Sequence, residues 1–183
     1  MGVSLHHLDP TGADHDPLVA FLTGNEFPFH ITARPDRDSV LAAIEAGTYG
    51  DDDHAAFWLQ SAVDERIGIV RLSDLGDPTP LVDLRIAGGL RGRGLGTASL
   101  RATTDFVFRT MAGVNRLEGQ TREDNVAMRR VFLRCGWVKE AHYREAWPVP
   151  GKQSVASIAY AILRRDWRDG TTTPVPWNDD PRP

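Results

Sequence analysis

Three glycines alternate with charged and apolar residues in the stretch "LRGRGLGTASLR", residues 90–101, and they constrain the fold more than any other sequence feature. The alternating run "PLVDLRIA" before them predicts a strand over 80–87, and the periodicity after them predicts a helix over 95–111. Glycine is used where backbone turns sharply or approaches another group closely. Unpaired N–H groups at the start of a helix attract anions. The stretch therefore predicts a strand, an anion-binding loop and a helix in succession.

Periodicity and turn residues divide the rest of the chain into short elements. We predict further strands over 3–8, 55–60, 66–72, 116–121, 137–145 and 154–163, and further helices over 14–23, around 40–46 and over 126–135. The second and third strands form a hairpin that turns at "VDE", residues 63–65. This order predicts an α/β domain with a mixed sheet over 1–167. Four prolines and no periodicity over 168–183 predict a loose C-terminal tail, which Trp177 could pin.

Composition excludes several classes of protein. The 183 residues are 41% hydrophobic and 25% charged, which is typical of one globular domain. The net charge of −4 disfavours a general nucleic-acid binder. No apolar run is long enough to span a membrane, and the N-terminus lacks the pattern of a signal peptide. A single cysteine, Cys135, predicts a reducing, cytoplasmic environment, and the six histidines have no metal-ligand spacing, so no metal site is predicted.

Three nucleotide-binding patterns compete for the glycine loop. The phosphate loop G-x-x-x-x-G-K-[ST] is absent from the sequence. The dinucleotide fingerprint G-x-G-x-x-G lacks its last glycine, because Thr97 stands there, and it belongs to an early strand. The third pattern, [Q/R]-x-x-G-x-[G/A], which binds coenzyme A, fits Arg91 to Gly96.

The stretch "RLEGQTREDNVAMRRVFLRCGWVKEAHYREAW", residues 116–147, strengthens the third reading. It contains R-L-E in the predicted strand 116–121, then N-x-x-x-x-R-V, then G-W-x-x-E and R-E. These motifs and their spacing resemble the ribosomal-protein-alanine type branch of the GNAT acetyltransferase superfamily. The resemblance covers roughly 55–165, and the first fifty residues match in layout only. It implies a mixed, mostly antiparallel sheet flanked by helices on both faces, in which parallel strands 80–87 and 116–121 splay apart.

The resemblance also implies acetyl-CoA as co-substrate, lying where the two parallel strands part. Its pantetheine arm would pair with the backbone of Leu84, Arg85 and Ile86. Its pyrophosphate would lie on the loop residues Arg91, Gly92, Arg93, Gly94, Leu95, Gly96 and Thr97. Solvated side chains are the alternative for the two arginines. Asn125 would bond the pantetheine, although helix capping alone explains an asparagine there.

Direct attack of an amine on the acetyl carbon is the implied reaction, with a backbone N–H near Leu84 to Ile86 stabilising the thioester oxygen. The proton donors common in the family are missing. Phe132 stands seven residues after the asparagine, where many members have tyrosine, and Met128 stands where others have serine. Tyr143 or a water molecule remains as the general acid, and the residues do not decide between them.

The candidate base is Asp83. Val82, Leu84 and Ile86 alternate with Asp83 and Arg85, and charges on a central strand need a reason. Asp83 either pairs with Arg85 or binds and deprotonates the amine.

The aromatic loop "NEFPFH", residues 25–30, is the second source of candidates. Glu26 and His30 in it could recognise a cationic, partly apolar amine. A surface loop with a packed aromatic pair is the plainer interpretation.

The resulting hypothesis is an N-acetyltransferase that acts on the primary amine of a peptide N-terminus or a small molecule. An α-amine, with a pKa near 8, loses its proton more readily than a lysine side chain near 10.4, which favours the less basic acceptor. Partners other than this substrate, whether nucleic acid or membrane, are not expected, and homodimerisation is left open. A non-catalytic sensor of coenzyme A and a nucleotide-binding regulatory domain are the alternatives.

Overall fold

Seven strands form one sheet in the order β1-β2-β3-β4-β5-β7-β6, and the computed structural model describes residues 2–63 and 66–177. The strands are β1 Val3–His7, β2 His54–Ser61, β3 Gly68–Ser73, β4 Leu81–Ile86, β5 Arg116–Arg122, β6 Val138–Trp147 and β7 Val155–Leu163. The helices are α1 His15–Thr23, α2 Arg37–Glu45, α3 Leu95–Thr110, α4 Val126–Arg134 and α5 Arg164–Asp169. None of them is long and apolar enough to cross a membrane.

Neighbouring strands are antiparallel except β4 and β5, which are parallel. The predicted fold class is therefore confirmed, and so is the predicted order of elements up to β7. The parallel pair lies in the middle of the sheet. The loops that follow β4 and β5 therefore leave the same edge of the sheet side by side.

Each face of the sheet has its own core, because alternate residues of a strand point to opposite faces. Phe57 and Val70 belong to the core that includes residues of α3 and α4, whereas Trp58 and Ile69 belong to the core that includes α1 and α2. The second core contains no residue of β4 or β5 among the described residues. The side chains of β4 that alternate onto this face therefore lie at the margin of that core, where charged groups keep access to solvent.

The C-terminal region begins with a helix that the sequence analysis missed. Helix α5 includes Arg168 and Asp169, the first residues of the predicted tail. Asp166, only 4% exposed, accepts hydrogen bonds from the backbone and hydroxyl of Thr173 and from the hydroxyl of Thr171. The six-residue helix is too short for the apolar periodicity that identified the others. The boundary at 167 and the looseness of the tail remain predictions.

Two further expectations concern the tail at Trp177 and the turn at residues 63–65. The side chain of Lys139 lies 5.7 Å from the centroid of the Trp177 ring, whereas the sequence suggested Trp177 as the residue that pins the tail and named no partner for it. The predicted "VDE" turn contains Asp64 and Glu65, which lie outside the described residues.

Candidate active site

A gap opens between β4 and β5, because one pair, Leu81 with Glu118, joins them in the part of the chain that the structure describes. The backbone N–H of Ala87 donates to Ile67 beside β3, and that of Glu118 donates to Pro80 on the other side. Alternation therefore points the backbone groups of Leu84 and Ile86 into the gap and those of Arg85 at β3. Leu84 and Ile86 fit the predicted pairing with an extended ligand. Arg85 was expected to take part in that pairing, but its backbone faces the neighbouring strand.

The glycine loop follows β4 as a 3₁₀ turn, Gly88–Leu90, and then leads into α3. Gly92 and Gly94 have φ values of +77° and +80°, in the left-handed region that favours glycine. Gly94 is the N-cap of α3 and offers no side-chain cap, so the first N–H groups of the helix stay open to a ligand. A Cβ atom built on Gly92 or Gly94 would meet nothing within 4 Å. The protein therefore leaves free the space that the predicted diphosphate needs.

Arg91 has a structural task that the sequence did not reveal. Its guanidinium donates to the backbone carbonyl of Ile86 at 3.1 Å and to that of Glu26. It therefore fastens the aromatic loop to the end of β4. Arg93 is exposed in the glycine loop, and its binding to phosphate remains a prediction.

Asn125 caps α4, as predicted. Its side-chain oxygen accepts a hydrogen bond of 3.2 Å from the N–H of Met128, and its amide donates to the hydroxyl of Thr121 at 2.9 Å. The second contact fixes the amide beside the gap, so one N–H of Asn125 remains for a ligand.

A cavity of about 500 Å³ occupies the gap and the charged side of β4. Its lining comes from the loop 29–32, from alternate residues of β3, from β4 and β5, from the first turns of α4, and from Trp147. Trp147 is a residue that sequence reasoning missed. It enters from β6, where the pairing with β7 shifts register and Glu145 has a φ of +54°. No sequence pattern marked that irregularity.

His30 and Asp83 meet in this cavity, although 53 residues separate them in the chain. His30 Nε2 lies 2.9 Å from one carboxylate oxygen of Asp83. The guanidinium of Arg85 donates to the other oxygen at 3.0 and 3.2 Å, and an Arg71 nitrogen lies 3.8 Å from it. The structure thus unites two predicted candidates, and it also contains the Asp83–Arg85 pair that was the alternative.

The electrostatics of this cluster change the expected role of Asp83. Burial opposes ionisation, but the hydrogen bond from His30 and the charges of Arg85 and Arg71 outweigh it, so the pKa of Asp83 falls well below its usual range. A carboxylate that holds its proton so weakly is a poor general base. The ionised carboxylate of Asp83 is better suited to orient the imidazole of His30 and to stabilise a positive charge nearby.

The opposite nitrogen of the His30 ring, Nδ1, is buried and has no hydrogen-bond partner among the described residues. An unsatisfied buried polar atom costs about 1–3 kcal/mol, so each one needs an explanation; the other such atom among the described residues, Ser99 Oγ, lies outside the cavity lining.

The other two candidates for catalysis lie outside the cavity lining. Glu26 pairs with Arg34 at 2.9 Å. Tyr143 is 48% exposed on β6, at the margin of the sheet, with β7 between it and β5. The structure therefore does not bring either residue to His30 and Asp83.

The two positions where relatives carry proton donors do line the cavity. Phe132 is buried, packs against Gly119 and stacks on Tyr160 with the ring centroids 4.8 Å apart. Met128 lies at the start of α4. Neither side chain has a proton to give, so the departure seen in the sequence persists in the folded site.

Comparison with known proteins identifies the family to which this chain belongs. The family model described as "Acetyltransferase (GNAT) domain" matches residues 5–138. The chain belongs to the GNAT acetyltransferase family. It is accordingly an N-acetyltransferase whose acyl donor is acetyl-CoA. The described residues contain no group of three or more metal-ligating side chains.

Solved structures of GNAT enzymes share its fold. A spermidine N-acetyltransferase from Vibrio cholerae in complex with CoA and spermine matches 91% of this chain and 98% of its own, with 17% identity and a TM-score of 0.76. A chimera of the Vibrio cholerae enzyme and hSSAT matches 92% and 99%, also with 17% identity and a TM-score of 0.76. No curated protein matches the chain significantly. The superfamily prediction is confirmed, whereas the ribosomal-protein-alanine branch remains a prediction.

Proposed function

We propose that this GNAT enzyme moves the acetyl group of acetyl-CoA directly to the primary amine of a small molecule or a peptide N-terminus. The observation that carries the proposal is the gap between β4 and β5. One side of it meets the glycine loop and Asn125, and the other side meets His30 and Asp83. An acyl donor on the first side and an amine on the second would meet at the backbone of Leu84.

The donor side is held by backbone groups. The open N–H and C=O groups of Leu84 and the N–H of Ile86 pair with the pantetheine arm as an added strand would, whereas the carbonyl of Ile86 already accepts a hydrogen bond from Arg91. The N–H groups of Leu95, Gly96 and Thr97, at the start of α3, bind the pyrophosphate. Acetyl-CoA supplies a thioester with a good leaving group. The N–H of Leu84 or Ile86 stabilises the negative charge that develops on the thioester oxygen.

The acceptor side is organised by His30 and Asp83. Asp83 holds the imidazole through its 2.9 Å contact with Nε2. His30 then accepts at Nδ1 the proton that the attacking amine loses; because Nδ1 is buried before the substrates bind, the amine or a water molecule has to reach it in the complex. The thiolate leaves with a proton from water. Tyr143 lies on β6, with β7 between it and β5, so we do not assign it this step.

The choice between a peptide and a small molecule rests on two different likenesses. The motifs over 116–147 favour the ribosomal-protein-alanine branch and hence a peptide N-terminus. The solved structures with the same fold include enzymes described as acting on spermidine, a small amine. We propose a cytoplasmic location, in keeping with a single cysteine in the sequence.

The test is a panel of amines and short peptides with acetyl-CoA, in which release of the free thiol is followed. Amine-dependent thiol release is the expected result. Tight binding of acetyl-CoA by calorimetry, without turnover on any member of the panel, would instead identify a sensor. Tighter binding of ATP or NAD than of acetyl-CoA would overturn the donor assignment as well.

A further inference from the structure

The charged side chains that line the cavity are unbalanced. Among the described residues they are Arg71, Asp83 and Arg85, so two guanidinium groups face one carboxylate. His30 is the one other titratable side chain in that lining. The cavity that receives the acceptor therefore carries a net positive charge before any amine arrives.

Asp83 has little capacity left to attract a cation. One of its oxygens receives the hydrogen bond from His30, and the other receives both hydrogen bonds from Arg85. Arg85 balances its charge at hydrogen-bonding distance. The positive charge of Arg71 therefore has no carboxylate of its own in the cavity lining.

Arg71 is placed as a binding group. Its closest approach to Asp83 is 3.8 Å, which is too long for a hydrogen bond, and its side chain makes none within residues 2–63 and 66–177. The side chain is 25% exposed and lines the cavity. Arg71 and Asp83 are directly paired on neighbouring strands, so they share one face of the sheet.

The nearest carboxylate of β5, that of Glu118, is already engaged by other side chains. Glu118 lies outside the cavity lining. One of its oxygens accepts a hydrogen bond from Gln120 at 2.9 Å, and the other accepts one from Arg116 at 2.7 Å. Arg116 also binds Glu140, so one guanidinium serves two carboxylates, and this cluster keeps one negative charge that lies outside the cavity lining.

We propose that the acceptor carries an anionic group, a carboxylate or a phosphate, close to its primary amine, and that Arg71 binds that group. This inference rests on the proposed function. Directly opposed residues of two strands have β-carbons about 5 Å apart, so an amine beside His30 and Asp83 places a group a few bonds away within reach of Arg71. A guanidinium binds a carboxylate or phosphate with two parallel hydrogen bonds. Amino acids and aminoalkyl phosphates have this geometry.

The same charges disfavour a polyamine. Each further ammonium group would enter a cavity whose lining is already positive, and among the described residues that lining has no carboxylate besides Asp83. The acceptor class thus differs from the spermidine described for the enzymes that share the fold.

Matched acceptors test the inference in the intact enzyme. Leucine is compared with leucinamide, O-phosphoethanolamine with ethanolamine, and spermidine serves as the cationic arm. We expect kcat/KM to be tenfold or more higher for the anionic member of a pair. The neutral member cannot form the hydrogen-bonded ion pair with Arg71, and such a contact is worth at least about that factor. The leucine pair reports a carboxylate, and the ethanolamine pair reports a phosphate.

The variant Arg71→Gln assigns the effect to this residue. It should lower kcat/KM for the anionic acceptor about tenfold more than for its neutral partner, mainly through KM, and Arg71→Lys should restore part of the loss. Calorimetry should show unchanged affinity for acetyl-CoA. Arg165→Gln removes the same charge from an exposed position on α5 and is the matched control.

The outcomes separate the two proposals. Turnover of leucinamide or spermidine as fast as that of every anionic acceptor, or equal losses on both members of a pair in Arg71→Gln, overturns the anionic class while acetyl transfer stands. Absence of turnover on the whole panel overturns the proposed function itself, and the inference with it.

Discussion

His30 Nε2 and Asp83 Oδ1 are 2.9 Å apart, and this contact joins the aromatic loop to the central strand β4. The loop is fastened to the donor side as well. The side chain of Asn25 accepts a hydrogen bond from the N–H of Gly88, and the carbonyl of Glu26 accepts one from Arg91. The wall of the acceptor cavity and the start of the glycine loop are therefore connected by hydrogen bonds. A substitution in one of them should shift the position of the other.

The first prediction concerns this cluster. Asp83→Asn keeps the shape of the side chain and removes its charge. We expect kcat/KM for the amine to fall about a hundredfold, because His30 loses the group that orients it, while acetyl-CoA affinity is unchanged. Steady-state kinetics and calorimetry measure the two quantities. A fall below threefold would leave Asp83 as a partner for Arg85 alone.

A double-mutant cycle sharpens that test. If His30 and Asp83 act as a unit, His30→Gln combined with Asp83→Asn should cost little more than the worse single variant. Additive losses would show that the two residues work independently.

The second prediction places the diphosphate. Gly94→Ala should weaken binding of acetyl-CoA at least tenfold in calorimetry, because a side chain enters the space in front of α3. Its positive φ also costs about 1–2 kcal/mol of stability. Gly136→Ala is the matched control, since Gly136 has the same φ of +80° and equally open surroundings at the far end of α4. Equal affinity in the two variants would refute the proposed phosphate site.

The third prediction separates the two roles of Asn125. Asn125→Asp keeps the cap on Met128 but has no N–H to donate, so coenzyme A should bind more weakly at nearly unchanged stability. Asp36→Ala removes another cap, the one on the N–H of Ser39 in α2. That control should cost about 1 kcal/mol of stability without affecting coenzyme A. If the Asp variant binds like the parent, Asn125 is a capping residue and nothing more.

The fourth prediction follows from the lowered pKa of Asp83. A carboxylate with a depressed pKa stabilises the fold above its ordinary value of 3.8, and this contribution is lost as the pH falls towards the folded-state pKa. The difference in unfolding free energy between the parent and Asp83→Asn should therefore narrow below about pH 4, by up to about 1.4 kcal/mol per pH unit. Denaturant titrations between pH 5 and 3 measure it.

Asp52→Asn is the control for that experiment, because Asp52 is exposed and its side chain makes no hydrogen bond in the described structure. A difference for Asp83→Asn that stays constant down to pH 3 would contradict the assignment.

Local patterns were sufficient for much of this protein. Alternation in "PLVDLRIA" placed Asp83 and Arg85 on one face, and the asparagine before an amphipathic run located the cap of α4. These features depend on neighbours within a few residues. The same alternation in β3 could have identified Arg71, since a charge in a central strand is the signal that singled out Asp83.

The contacts that complete the site are of another kind. His30 reaches Asp83, and Arg91 reaches Glu26, because loops cross a folded sheet. Trp147 reaches the cavity because β6 loses its register. Such contacts depend on the path of the whole chain, and no period in one sequence encodes them.

In the part of the chain that the structure describes, β4 and β5 are joined by the single pair Leu81 with Glu118. Beyond that point each strand has a free edge inside the sheet, in addition to the two outer edges of β1 and β6. Amide protons of Leu84 and Ile86 should exchange with solvent at rates typical of a sheet margin, although Asp83 and Arg85, which alternate with them, pair with β3. On the proposed function, a bound acyl donor would pair with these backbone groups. The co-substrate would then act as an added strand that joins the two halves of the sheet for the duration of the reaction.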